Sequence, residues 1–237
     1  MTAERLLNQL CDKLRASFSD RLVSVVLYGS AAAGDYTKYS DLNILCVLSR
    51  LTPREMGESE SVFRWWREQG NPSPLLLTEE EVRASTDCFA IEFHDIVARH
   101  RILAGKDIIA DLRVDDSFYR AQVEHELRAK LLRFRQKASG MLSDHDHLRR
   151  LMVDSVSTFC VLFRHALRMH GVETDLRKRE VVARVEEVCG IDAAPFRKLL
   201  DVREGLARPR DFDPVAALPA YMAAISAVIQ AVDRIDK

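Results

Sequence analysis

Gly29 and Ser30 close an apolar run from Leu22 to Tyr28, and Ser40 and Asp41 open the next, which continues Leu42-Asn43-Ile44. A glycine at a strand end lets a ligand approach the backbone. Ser30, as the first residue of a small-residue turn through Ala31, Ala32 and Ala33, offers a hydroxyl and unpaired N–H groups of the kind that receive a phosphate. Asp41 and Asn43, two apart at the start of a strand, share one face while Leu42 and Ile44 take the other. Two oxygen-bearing side chains so spaced can reach one hard cation. The combination can hold a triphosphate and a divalent metal side by side, although a two-metal phosphoryl-transfer site would want an acid where this chain has Asn43. Each part also has a plainer reading. Gly-Ser serves any tight strand-to-helix turn, Asp is a common turn residue ahead of a strand, and Lys38, well placed in the loop for an anion, is of a type that loops usually leave solvated.

Glu92 is the candidate third oxygen ligand. Cys88 to Ile96 reads as a strand, with Ala90, Glu92 and His94 on one face and Ile91, Phe93 and Asp95 on the other. An acid amid so many apolar neighbours is costly unless solvated, paired or bound to a metal. The alternative is an edge-strand carboxylate paired with a Lys or Arg. His94 would share the face of Glu92, or be a satisfied, partly buried histidine; Asp95 is positioned to pair with Arg99 or Arg101.

The elements that must carry these residues follow from apolar spacing. Leu6, Leu7, Leu10, Leu14 and Phe18 predict a helix from Ala3 to Phe18. Strands are expected over Leu22–Tyr28, with Val23, Val25 and Leu27 on one face, then over Asn43–Leu48 and Leu75–Leu77. Pro53 to Gly70 reads as a helix with Met56, Phe63 and Trp66 inward, and Thr78 with Glu81 has capping-box spacing. From about Asp115 the pattern is helical throughout: Phe118–Met141, Leu148–Met169, Arg177–Val188, Ala194–Gly205 and Pro214–Ile235, punctuated by Gly140, Gly171 and Gly190. The expected fold is α+β, a mixed sheet flanked by helices over residues 1–110, followed by an all-helical bundle over residues 111–237.

Composition narrows the function classes. With 35 Lys plus Arg against 36 Asp plus Glu in 237 residues, nothing global attracts a nucleic acid backbone or an anionic membrane. No signal-peptide pattern opens the chain, and no apolar run is expected to approach the roughly 18 residues of a membrane span. Cys11, Cys46, Cys88, Cys160 and Cys189 lack metal-ligand spacing and read as buried thiols of a cytoplasmic protein. Phe134, Phe159, Phe163 and Met169 read as bundle core. On the first long helix Lys130 and Arg133 are candidates to meet a triphosphate, or part of a solvated charged face. Arg164 followed by His170 matches a loose spacing found in nuclease-like helical domains and in much unrelated helix.

The run Leu27-Tyr28-Gly29-Ser30-Ala31-Ala32-Ala33-Gly34-Asp35-Tyr36, with Tyr39-Ser40-Asp41-Leu42-Asn43, resembles the signature of the polymerase-beta-like nucleotidyltransferase superfamily, especially its minimal and antibiotic-modifying bacterial branches. The resemblance spans about Leu22 to Ile96; the helical remainder matches only in kind. It implies that Gly29 and Ser30 meet the nucleotide phosphates, that Asp41 binds magnesium with Asn43 in the place of the usual second acid, and that Glu92 stands for the third, strand-borne acid. It further implies an ATP or other nucleoside triphosphate substrate and nucleotidyl transfer to a hydroxyl-bearing small molecule or protein. A carboxylate, with Glu92 nearest to hand, would act as base toward that hydroxyl. The apolar long helices suggest a homodimer. Asn43 keeps open a second expectation, a nucleotide-binding or interaction protein without efficient transfer. A template-directed polymerase is disfavoured by the charge balance and the lack of a basic, aromatic surface pattern.

Overall fold

The structure is a computed structural model describing residues 2–29, 31–32, 42–172 and 177–235. Ser30, Lys38 and Asp41 lie outside the described residues. The chain divides into two compact units, Met1–Asp116 and Ser117–Lys237.

The first unit begins with α1 (Ala3–Phe18), whose leucines at three-to-four spacing bury Leu7, Leu10, Leu14 and Phe18. A short 3-10 turn, Ser19–Arg21, leads into β1 (Leu22–Tyr28), and β2 (Asn43–Leu48) returns antiparallel to it. Next, α2 (Pro53–Glu68) starts from a Thr52–Glu55 capping box with Pro53 at its first position. β3 (Leu75–Thr78) lies parallel to β2, and α3 (Glu79–Ala84) opens on the Thr78–Glu81 capping box. Then come α4 (Ala90–Ala98) and β4 (His100–Gly105), the latter antiparallel to β1. The sheet order is β3-β2-β1-β4.

Alternation divides the sheet into two apolar faces. Val25, Leu27, Ile44, Cys46 and Leu48 pack with α1 and with Val62 and Trp66 of α2. Val26, Leu45 and Val47 pack with Val82 of α3, Phe93 and Ile96 of α4, and Ile108 and Ile109 beyond β4. Val23 sits with Val26 on the second face rather than with Val25 and Leu27, because the ladders slip between Leu22 and Ser24 and again between Val25 and Val26. Gly105 belongs to that irregularity: φ is +80°, and a Cβ there would fall 2.1 Å from the Val23 carbonyl oxygen. The inward row of α2 also differs from expectation. Glu55, Ser59, Val62 and Trp66 are buried, Phe63 is half-buried, and Met56 is 59% exposed. The helix turns its capping carboxylate inward, where Arg21 and Arg50 receive it.

The segment expected to be a strand, Cys88–Ile96, is instead α4. Its residues satisfy two periods at once, since Ala90, Phe93 and Ile96 recur every three residues while Ile91 and Phe93 alternate. The place beside β1 goes to His100–Gly105, and the helical face formed by Ala90, Phe93, His94 and Ile96 is what becomes buried.

The second unit is helical among the described residues: α5 (Tyr119–Ser139), α6 (His145–Met169), α7 (Lys178–Cys189), α8 (Ala194–Arg203) and α9 (Pro214–Asp233). Asp144 and Asp213 cap α6 and α9 by accepting backbone N–H bonds, and Gly190 ends α7 in the left-handed conformation. Phe134, Phe159, Phe163, Phe196 and Tyr221 form an aromatic core with neighbouring centroids 4.7–6.4 Å apart, whereas Met169 is only half-buried. By length and composition α9 is apolar enough to cross a membrane, contrary to expectation. Here it packs on α5, α6, α7 and α8 and buries Leu218, Tyr221, Ile225, Val228 and Val232. Of the five cysteines, Cys11, Cys46 and Cys160 are buried, Cys189 is intermediate, and Cys88 is exposed.

Candidate active site

The last rung of β1 and the first of β2 set the geometry. Tyr28 is paired with Asn43 on one side and with His100 on the other. Gly29 follows with φ +79°, donates its N–H to the Arg99 carbonyl at 3.0 Å, and accepts from the Ala32 N–H at 3.1 Å. A side chain would strain that backbone by about 1–2 kcal/mol. Its Cβ would also stand 3.4 Å from Asn43 Nδ2. The bare Gly29 backbone and the half-buried Asn43 amide are therefore neighbours.

Asn43 falls on the sheet face of Leu45 and Val26, which α4 covers. Glu92 is carried by α4, not by a strand, so it does not share a face with Ala90 and His94: it is exposed, whereas Ala90 and His94 are buried. The argument that its apolar setting demanded a metal or a partner falls away, because a carboxylate on the outer side of a helix keeps its water. Its location remains informative. Burial chiefly, and then the negative charges of Glu92 and Asp95, push the Tyr28 hydroxyl up to about 12. Glu92 and Asp95, one helical turn apart, thus both direct their field onto the Tyr28–Asn43 end of the sheet.

Tyr28 and Asp95 lie at this end of the sheet with Glu92 and were not among the candidate site residues read from the sequence. The signal for Asp95 was its three-residue spacing from Glu92, which has meaning only on a helix. Arg101, one of its expected partners, pairs with Glu4 at 2.9 Å. His94 is not part of the constellation; it is 7% exposed, with Nε2 2.5 Å from Asp116 Oδ1. Among the described residues no three His, Cys, Asp or Glu side chains gather as a metal centre. In the second unit Lys130 pairs with Glu126 at 3.3 Å, and His170 is an exposed residue closing α6.

A mixed sheet of this order, with a glycine turn and a polar strand start facing each other at one end, is the frame of a nucleotidyl-transfer domain. The nucleotidyltransferase domain family matches residues 4–122, just over half the chain, and the chain belongs to that family. Two Methanocaldococcus jannaschii proteins, provisionally named protein adenylyltransferases, are similar to it. One is 35% identical over 91 residues, covering 33% of this chain and 60% of the relative. The other is 36% identical over 47 residues, covering 20% and 47%. The chain thus spans less than two thirds of either relative's length. Among solved structures, spectinomycin adenyltransferase from Enterococcus faecialis, determined with ATP and spectinomycin, superposes with a TM-score of 0.62 over 95% of this chain and 100% of its own, at 13% identity. At that identity the likeness is one of fold.

Proposed function

We propose that the protein transfers a nucleotidyl group, AMP from ATP, to a hydroxyl of a small molecule or protein, with magnesium. The observation that carries this is the juxtaposition of Gly29 and Asn43 at one end of the sheet, under a helix whose two carboxylates act on Tyr28. The family supports nucleotidyl transfer as the class of reaction. The relatives' names and the ATP of the structural neighbour favour adenylyl as the group moved.

The donor set suits a hard cation: the Asn43 carbonyl oxygen, the carboxylates of Glu92 and Asp95, and Asp41 from the motif. Glu92 and Asp95 are near enough to Tyr28 for their negative charge to act on it, so both stand at the end of the sheet where the ion would be held. When bound, magnesium would neutralise charge on the phosphates. The Gly29 backbone, free of a side chain, would admit the phosphates, and Ser30 would add a hydroxyl. Glu92 or Asp95 would take the proton of the acceptor hydroxyl as its oxygen bonds to the α-phosphorus. The α–β phosphoanhydride bond breaks in the same displacement, and pyrophosphate leaves.

Asn43, neutral where the resembled family has an acid, favours one second reading, a nucleotide-binding protein that transfers inefficiently. A pyrophosphate-release screen with ATP against hydroxyl-bearing small molecules and proteins separates the two. Release that depends on both acceptor and magnesium, raised by Asn43→Asp, supports a working enzyme. ATP binding without release for any acceptor, in wild type and Asn43→Asp alike, supports the second reading.

A further inference from the structure

Between α2 and β3 the chain passes through Gln69-Gly70-Asn71-Pro72. Gly70 takes φ +86°, and the turn brings Asn71 to the start of a strand 29 residues earlier in sequence. There Asn71 Oδ1 accepts the backbone N–H of Leu42 at 3.3 Å. Leu42 is the residue between the two oxygen-bearing positions of the strand motif, Asp41 and Asn43, and its own side chain is 1% exposed in the core beneath α1 and α2. Leu42 also lies outside the regular β2 ladder, which begins at Asn43. The hydrogen bond to Asn71 therefore fixes a backbone group that no strand partner is recorded to hold.

We propose that Asn71 is a positioning residue for the nucleotide site. By holding the Leu42 amide it sets the direction in which Asn43, the next residue, projects. The inference rests on the proposed nucleotide-binding reading. It differs from a purely structural role in a specific way. Loss of the brace should weaken the magnesium-dependent part of nucleotide binding more than it weakens the fold.

The test is titration of ATP, with and without magnesium, into wild type, Asn71→Leu and Asn71→Asp, together with thermal melts and amide exchange at Leu42. Asn71→Leu, of similar size but unable to accept, should lose about tenfold of the affinity gained with magnesium, the scale of one hydrogen bond. Its melting should stay near that of wild type, and its Leu42 amide should exchange faster. Asn71→Asp keeps an acceptor for Leu42 and should retain both the Leu42 protection and the magnesium gain. An unchanged magnesium gain in Asn71→Leu would overturn the proposal, as would an unchanged Leu42 exchange rate. If wild type itself shows no ATP affinity, the nucleotide-binding reading fails, and the Leu42 exchange alone then decides whether the brace exists.

Discussion

The two faces of the first unit's sheet are built from the same materials and finished differently. Under α1 and α2 the face is apolar from end to end, and its nearby acid, Glu55, is fully enclosed. That carboxylate receives the Thr52 hydroxyl and N–H, Arg21 at 2.7 Å and Arg50 at 3.1 Å. Under α4 the face is apolar only in its middle. At the Tyr28–Asn43 end it carries a half-buried phenol and an amide, with Glu92 and Asp95 acting from the helix. Glu92 is exposed and makes no ion pair among the described residues. An acid enclosed by donors is committed to the fold. An acid left in water beside a half-buried tyrosine costs the fold little and is available for chemistry.

Mutations on the two faces should therefore separate stability from function. The largest effect is expected on the α1–α2 face. Trp66 is fully buried, and Trp66→Ala should cost about 3–5 kcal/mol, read as a fall in the denaturant midpoint. A loss below about 1 kcal/mol would mean that this face is not the mechanical core.

Glu55 comes next. The Thr52 hydrogen bond leads, with Arg21 and Arg50 adding, and together they hold its carboxyl at about 2 against the opposing effect of burial. A value below the ordinary 4.5 means that the contribution is present in full above pH 4.5 and is lost as pH falls from there through about 2. Melting temperature should decline over that window in wild type. Glu55→Gln should melt lower at neutral pH and lose part of the acid slope. The rest of the slope should persist, since Glu58, Asp144 and Glu186 are also held low by their hydrogen bonds. Identical slopes would remove Glu55 from its structural role.

The smallest effect on stability belongs to Glu92. As an exposed helix residue its change to Gln should stay within about 0.5 kcal/mol in unfolding experiments, while pyrophosphate release falls at least about tenfold, the lower end of what a lost base or ligand costs being larger still. A variant that melts lower but transfers normally would reverse the comparison between the two acids.

Most of this organisation is visible in the residues themselves. The Ala3–Phe18 helix and the first two strands follow from apolar spacing alone, because each buries one continuous face and has no competing period. The Gly29-Ser30 and Asp41-Asn43 motifs are legible as candidates from residue type and order, but the approach of Gly29 to Asn43 comes from the pairing of β1 with β2. α4 was not legible. Over nine residues its apolar positions fit both a strand and a helix, and only the competition for the place beside β1, won by His100–Gly105, decides. That single misreading hid Asp95 and gave Glu92 a false reason for importance. Tyr28 reads from sequence only as a strand residue, because its pairing with Asn43 and its partial burial beneath α4 are tertiary facts. Asn71 acts across 29 residues, a distance at which no local pattern speaks.

On the proposed reading, the Gly29–Asn43 end of the sheet binds a nucleoside triphosphate with magnesium. Calorimetric titration of ATP into wild type and Asp41→Ala, each with and without magnesium, tests it most directly. Magnesium should tighten ATP binding to wild type, and Asp41→Ala should lose this gain while melting at the wild-type temperature. No measurable binding of ATP to wild type, with or without magnesium, would contradict it.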